Sequence, residues 1–214
     1  DLLVSGGTGN DTIRVGFGLT INAGVLIGGT GTDTLQLDGN NVFALAAFDV
    51  TNAGFEQMNG ATLFGDGNAN SLDFSGVVMT GGGHNLNGGG GNDLLVATDQ
   101  IDTLNGDAGD DTLNAGDGND SLNGGTENDI LNGGLGNDTL LGNAGNDSLL
   151  GGDGNDTLRF DGGSDLLLDG GGGDDIIRVG FGLTVAGIVF LALGYRLLPS
   201  RRMLMNTSVE RSSG

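Results

Sequence analysis

A leucine stands at every ninth position through the middle of this chain: Leu95, Leu104, Leu113, Leu122, Leu131, Leu140, Leu149, Leu158 and Leu167. Two residues before each one stands an aspartate, and most of the remaining positions are glycine, asparagine, threonine or serine. The frame is G-G-x-G-N-D-x-U-x, with U a large aliphatic residue, clearest in GGLGNDTLL, GNAGNDSLL and GGDGNDTLR between Gly133 and Arg159. Each unit divides into a six-residue turn and a three-residue strand, x-U-x. Alternation along a strand points U inward and its two neighbours outward, so the leucine column is the expected core. The glycines supply the positive φ and the close backbone passage that so tight a turn needs.

The frame runs without a gap from Gly88 to Leu168, 81 residues or nine units, beginning at Gly88, Ala97, Gly106, Ala115, Gly124, Gly133, Gly142, Gly151 and Phe160. Position six is aspartate in every unit: Asp93, Asp102, Asp111, Asp120, Asp129, Asp138, Asp147, Asp156 and Asp165. Flanking copies at 6–14, 28–36 and 170–178 add Asp11, Asp33 and Asp175 to the column. Two further copies replace the aspartate with Asn70 and His84, and those rungs are expected to stack without holding metal. Residues 1–36 thus read as repeat units with an insertion, 37–87 as irregular or degenerate rungs, 88–184 as the main array and 185–214 as a tail. Within the second stretch, Leu37 to Phe64 reads either as further rungs or as a loop-rich insertion. The sequence DLLVSGGTGNDTIRVGFGLT at 1–20 recurs as DLLLDGGGGDDIIRVGFGLT at 165–184. The chain therefore starts inside a repeat, without methionine, and reads as a piece of a longer protein.

A nonapeptide of this form is a calcium-binding repeat pattern of the parallel β-helix type, and the residues quoted resemble the repeats-in-toxin, or hemolysin-type calcium-binding, family of secreted bacterial proteins, as in the β-roll of serralysin-like proteases. The resemblance implies an all-β parallel β-roll, a solenoid in which two units make one coil. It also implies calcium held between the turns of alternate units by backbone carbonyls and the two flanking aspartates. Calcium takes six to eight oxygens and accepts mixed carbonyl and carboxylate ligands, more than one turn can supply. The expected metal residues are therefore Asp11, Asp33, Asp93, Asp102, Asp111, Asp120, Asp129, Asp138, Asp147, Asp156, Asp165 and Asp175. One leucine per nine residues cannot by itself offset the ordering of a glycine-rich backbone, so metal binding and folding are expected to be one event.

Composition sharpens this. There are 28 acidic against 7 basic residues, a formal charge of −21, and 47 glycines in 214 residues. Without a cation, stacked aspartates repel one another, and high net charge with abundant glycine describes a disordered chain. A solvating linker has no need of two invariant columns, and so acidic a chain is not expected to bind nucleic acid. There is no EF-hand loop. With no cysteine and one histidine, zinc is disfavoured. The Asn-Asp-Thr/Ser tripeptides that match the glycosylation pattern follow from the repeat frame. Modules that bind calcium outside cells do so at about 10⁻⁴–10⁻³ M, so the chain is expected to be unfolded inside a cell and to fold outside it. The resemblance implies export by type I secretion machinery, and no amino-terminal signal peptide is seen. The tail departs from the frame: Val185 to Leu198 is apolar and precedes Pro199, Arg201 and Arg202. A capping helix over the end of the coil, a marginal membrane span and a fusion or frame-shift artefact all remain open.

An enzyme would need a site, and the sequence offers none. H-E-x-x-H requires two histidines, no serine has glycine at both −2 and +2, and the carboxylates are already placed as ligands. A surface-binding scaffold is the alternative: one face presents Thr103 and Asn105, Ser121 and Asn123, Thr139 and Leu141, Thr157 and Arg159. Such flat ladders can bind ice or glycans. The calcium-dependent ice-binding adhesins that resemble this repeat carry threonine at position three, which here reads Gly90, Asp99, Ala108, Asp117, Thr126, Leu135, Ala144 and Asp153. Threonine is also simply a good strand residue.

Overall fold

The computed structural model describes residues 4–15, 26–37, 41–42, 48–49, 57–59, 63–65, 67–75, 78–79, 84–162 and 167–179. These residues form an all-β parallel solenoid, consistent with a β-roll, with no helix among them. Two sheets carry the main array. One stacks Asn85–Gly90, Thr103–Ala108, Ser121–Thr126, Thr139–Ala144, Thr157–Phe160 and Ile176–Val179. The other stacks Leu94–Val96, Thr112–Asp117, Ile130–Leu135, Ser148–Asp153 and Leu167–Gly172. Successive units alternate between the sheets, so each strand pairs with the strand two units away, as Leu104 with Leu122 and Leu113 with Leu131.

The core is the leucine column seen from both sheets. Leu86, Leu95, Leu104, Leu113, Leu122, Leu131, Leu140, Leu149 and Leu158 are all buried and belong to a single cluster. In Ser121–Thr126 the burial alternates, with Leu122 and Gly124 inward and Ser121 and Asn123 half-buried outside. The inward neighbour of each leucine is thus the residue that heads the next unit.

This alternation corrects the expected division of the repeat. The strands of the main array are mostly six residues long, as in Ile130–Leu135, and reach through the glycine pair to position three of the next unit. The ladder bends there: Asn114 pairs with Asn132 and Gly116 with Gly134, but Ala115 and Gly133 between them do not pair. Gly134 has φ 107°, and a side chain there would strike the Gly116 carbonyl of the rung below. Each rung bends at the same point, so the hydrogen-bonded ladder resumes beyond the corner.

A second correction concerns the ninth unit. Leu149 pairs with Leu168, and Leu168, not Leu167, enters the core. Leu158 likewise pairs with Ile177. Both spacings are one residue longer than the coil's 18, so an extra residue lies between these rungs. In the run Leu166-Leu167-Leu168 any leucine satisfies a hydrophobicity pattern; the ladder from Leu149 decides which one turns inward. The spacing of Gly151 and Gly170 already carries this offset. Asp165 lies outside the described residues.

Towards the amino terminus the coil is longer. Leu72 pairs with Leu95, Leu63 with Leu86, and Ile13 with Leu35. Asn41–Val42, Phe48–Asp49, Gln57–Asn59 and Leu63–Phe64 are short strands paired in parallel with other rungs. The tail at 185–214 lies outside the described residues, and no helix among the described residues is long and apolar enough to cross a membrane.

Candidate metal centre

Each turn places its position-six aspartate inside the coil. Asp93, Asp102, Asp111, Asp120, Asp129, Asp138, Asp147 and Asp156 are no more than 3 % exposed, and Asp33 is as deeply buried. Asp11 and Asp175 are half-buried. The aspartates form two columns, one along each edge of the coil. Asp93, Asp111, Asp129 and Asp147 share one edge, and Asp102, Asp120, Asp138, Asp156 and Asp175 the other.

Within a column each Oδ1 accepts the backbone N–H of the aspartate one coil earlier. Asp102 N–H donates to Asp120 at 2.7 Å, Asp120 N–H to Asp138 at 2.8 Å, and Asp138 N–H to Asp156 at 2.8 Å. Asn70 and His84 occupy the same column positions: the Asn70 N–H donates to Asp93 at 2.6 Å and the His84 N–H to Asp102 at 2.8 Å. Asp11 and Asp33 form a separate pair, with the Asp11 N–H donating to Asp33 at 2.8 Å.

The position-five residue completes the clasp, a role that the sequence reading did not assign. Its side-chain oxygen accepts the N–H of the equivalent residue one coil later, opposite in sense to the aspartate bond. Asn119 accepts from Asn137 at 2.7 Å, Asn137 from Asn155 at 2.8 Å, and Asp110 from Asn128 at 2.9 Å. Adjacent turns are therefore stitched reciprocally. The recurrence of asparagine before the aspartate was the visible signal, since a short side-chain oxygen can reach a backbone amide where a turn leaves it open.

The other carboxylate oxygen is left over. Oδ2 of Asp11, Asp111, Asp120, Asp129, Asp138 and Asp156 is buried and has no hydrogen-bond partner. An unpaired buried anion is costly unless a cation or proton meets it. Glycine at position one makes room for these oxygens. A Cβ on Gly106 or Gly133 would collide with the carboxylate of its own turn and lie 2.6 Å from the carbonyl oxygen of the glycine heading the next turn on that edge. Carboxylate and carbonyl oxygens thus converge on the space beside that glycine. Among the described residues no three carboxylate or imidazole groups cluster together, so side chains alone do not make a site and the remaining oxygens must come from the backbone. That donor set, all oxygen and partly anionic, suits calcium.

Electrostatics point the same way. Burial pushes the carboxyls of Asp120 and Asp129 up to about 7, against the hydrogen bonds from the column, with their column neighbours adding repulsion. Burial raises Asp111 and Asp156 to about 6, and it also raises Asp138 and Asp147. A metal-free column is frustrated as an anion.

The model of the RTX calcium-binding nonapeptide repeat family matches residues 3–18 and, in overlapping windows, 87–122, 96–131, 105–140, 115–149 and 132–167. The chain carries RTX calcium-binding repeats. The overlapping windows cover the stretch in which the aspartate columns are unbroken, and the separate window at 3–18 covers the Asp11 turn. Neither the curated proteins nor the solved structures contain a match to the chain.

The RTX frame accounts for the columns but not for every residue in them. Asn70 and His84 take the backbone place of an aspartate without its carboxylate, and both are buried. The outward ladder is in register as the sequence suggested, with Thr103, Ser121, Thr139 and Thr157 stacked. The asparagines beside them are engaged with each other: Asn105 donates to Asn87 at 2.7 Å, Asn123 to Asn105 at 3.3 Å, and Asn143 to Asn123.

Proposed function

We infer that this chain is a non-enzymatic folding module of a larger secreted protein, in which calcium drives the coil to form once the chain is outside the cell. The observation that carries this reading is the pair of columns of buried carboxylates, in which Oδ2 of Asp111, Asp120, Asp129, Asp138 and Asp156 has no hydrogen-bond partner. They are too deeply placed to be solvated and too regular to be incidental. Before folding, each carboxylate is hydrated. On folding these five lose water and gain one amide each, and the cation supplies the remaining stabilisation. The chain's own residues set the register through the position-five and position-six clasps, and calcium neutralises the columns.

Compartment and partner follow from the energetics. A coil that closes only at extracellular calcium concentrations would remain extended in a cytosol. That is the state a type I secretion channel accepts, and this machinery is the partner we assign. The carboxylates run in single files along the edges, and the chain's one histidine occupies a column position. This arrangement supports a structural rather than a catalytic use. Far-ultraviolet circular dichroism tests the reading, with calcium titrated from chelated to about 10 mM and magnesium as control. A coil-to-β transition specific to calcium is the expected result. A spectrum rich in β structure in chelator and indifferent to calcium would refute it.

A further inference from the structure

The Asp102 turn differs from the other turns on its edge. Its Oδ1 accepts the His84 N–H at 2.8 Å, as the column requires. Its Oδ2 accepts two more hydrogen bonds from within its own turn, from the Thr98 N–H at 3.1 Å and the Thr98 hydroxyl at 2.7 Å. Thr98 is 3 % exposed, so both bonds are sheltered from water. The Asp102 carboxylate thus accepts three protein hydrogen bonds, whereas Oδ2 of Asp120, Asp138 and Asp156 accepts none.

The residues around Thr98 support the contrast. Ala97 heads this turn and carries a methyl group at the point where Gly133 and Gly151 must carry none. Ala115 shares that methyl, yet Gly116 follows it and Asp120 Oδ2 stays without a partner. The threonine, then, distinguishes the Asp102 turn. Position four is Gln100 in place of glycine, and position five is Ile101, 60 % exposed, in place of the clasping asparagine. Below it on the same edge stands His84, which brings no carboxylate to the column.

We propose that the Asp102 carboxylate is completed by Thr98 instead of calcium, making 97–102 a metal-free rung inside the calcium-binding array. The reading rests on calcium binding by the other turns. Hydroxyl and amide donors from one turn take over the neutralising role that elsewhere falls to the cation. They do so locally, between residues four apart in the chain, so the turn closes without waiting for metal. Once closed, it offers the next rung two preformed contacts: the Asp102 N–H donates to Asp120 Oδ1 at 2.7 Å, and the Asp102 carbonyl accepts the Ser121 N–H at 3.0 Å. The calcium-dependent column on this edge therefore starts at Asp120, on a foundation already in place.

The test counts calcium ions bound per full chain at saturation, by equilibrium dialysis with atomic emission, in the wild type and in Asp102→Asn, Asp138→Asn and Thr98→Gly. The expected result is the wild-type number for Asp102→Asn, at least one ion fewer for Asp138→Asn, and one ion more for Thr98→Gly. Equal losses in Asp102→Asn and Asp138→Asn would overturn the proposal while leaving the calcium reading intact. If Asp102→Asn does not fold, Thr98→Gly decides: one extra ion supports the metal-free rung, and an unchanged number overturns it. A wild type that binds no calcium would overturn the calcium reading itself, and this one with it.

Discussion

The rungs that hold Asn70, His84 and Asp102 and those that hold Asp120 to Asp156 have the same core and different turns. Leu72, Leu86 and Leu104 are as fully buried as Leu122, Leu140 and Leu158. Inside the turns the first group presents an amide, an imidazole and a carboxylate tied off by Thr98. In the second, Asp120, Asp129, Asp138 and Asp156 present carboxylates with an oxygen to spare. Leucine stacking and metal demand are thus separable in this fold. The core sets where a rung sits, and the turn sets whether it needs a cation to stay there.

Removing calcium should separate the two groups most sharply. In a solenoid each rung contacts only its neighbours, so loss can be graded along the array. As chelator is titrated in, hydrogen exchange should strip protection from the Asp120, Asp129 and Asp138 amides first and from the His84 and Thr98 amides last. Simultaneous loss at all of these sites would erase the distinction. Core truncation should ignore it. Leu131→Ala and Leu95→Ala should each cost about 2–5 kcal/mol at saturating calcium, measured by denaturant unfolding, and a much smaller cost at Leu95 would mean that the early rungs are loosely held.

Turn substitutions should then follow the columns. Asp138→Ala should raise the calcium midpoint on the order of tenfold and flatten the transition, since ligand charge tunes calcium affinity. Asn70→Ala and His84→Ala should leave the midpoint nearly where it was. Equal effects at all three would defeat the register. Acidity probes the same contrast. The Asp111, Asp120, Asp129 and Asp156 carboxyls sit at about 6 to 7 in the folded, metal-free coil, above the unfolded value of about 4. A raised folded value means that folding takes up protons. Metal-free stability is therefore fullest below about pH 4 and is lost as pH rises through 6 to 7. Circular dichroism in chelator should show β structure fading over that window, while the calcium midpoint falls as pH rises and protons cease to compete. A signal in chelator that stays flat from pH 5 to 8 would contradict this.

The smallest effect concerns backbone strain. Asp107 has φ 74° at a position where most units carry glycine. Asp107→Gly should stabilise the calcium-loaded coil by up to about 1 kcal/mol, because it relieves the left-handed conformation and removes a charge that repels Asp111. A loss of stability in thermal unfolding would show that the aspartate has a role in the turn.

The nine-residue period alone determined the solenoid, the leucine core, the aspartate column and the substitutions at Asn70 and His84, because a repeat can stack only if equivalent residues meet. Period and composition are properties of the chain, and stacking converts them directly into contacts. Three features depended on how neighbouring rungs meet in space. The strand runs on through Gly133 and Gly134 because its register with the rung below resumes past the bend. Leu168 displaces Leu167 because pairing with Leu149 chooses among three adjacent leucines. Thr98 reaches Asp102 because the turn folds back on itself, and no spacing rule distinguishes a hydroxyl facing solvent from one that closes on a buried carboxylate. Position along the chain specifies which residues stack, whereas the direction of a side chain inside a turn depends on every atom that shares the space.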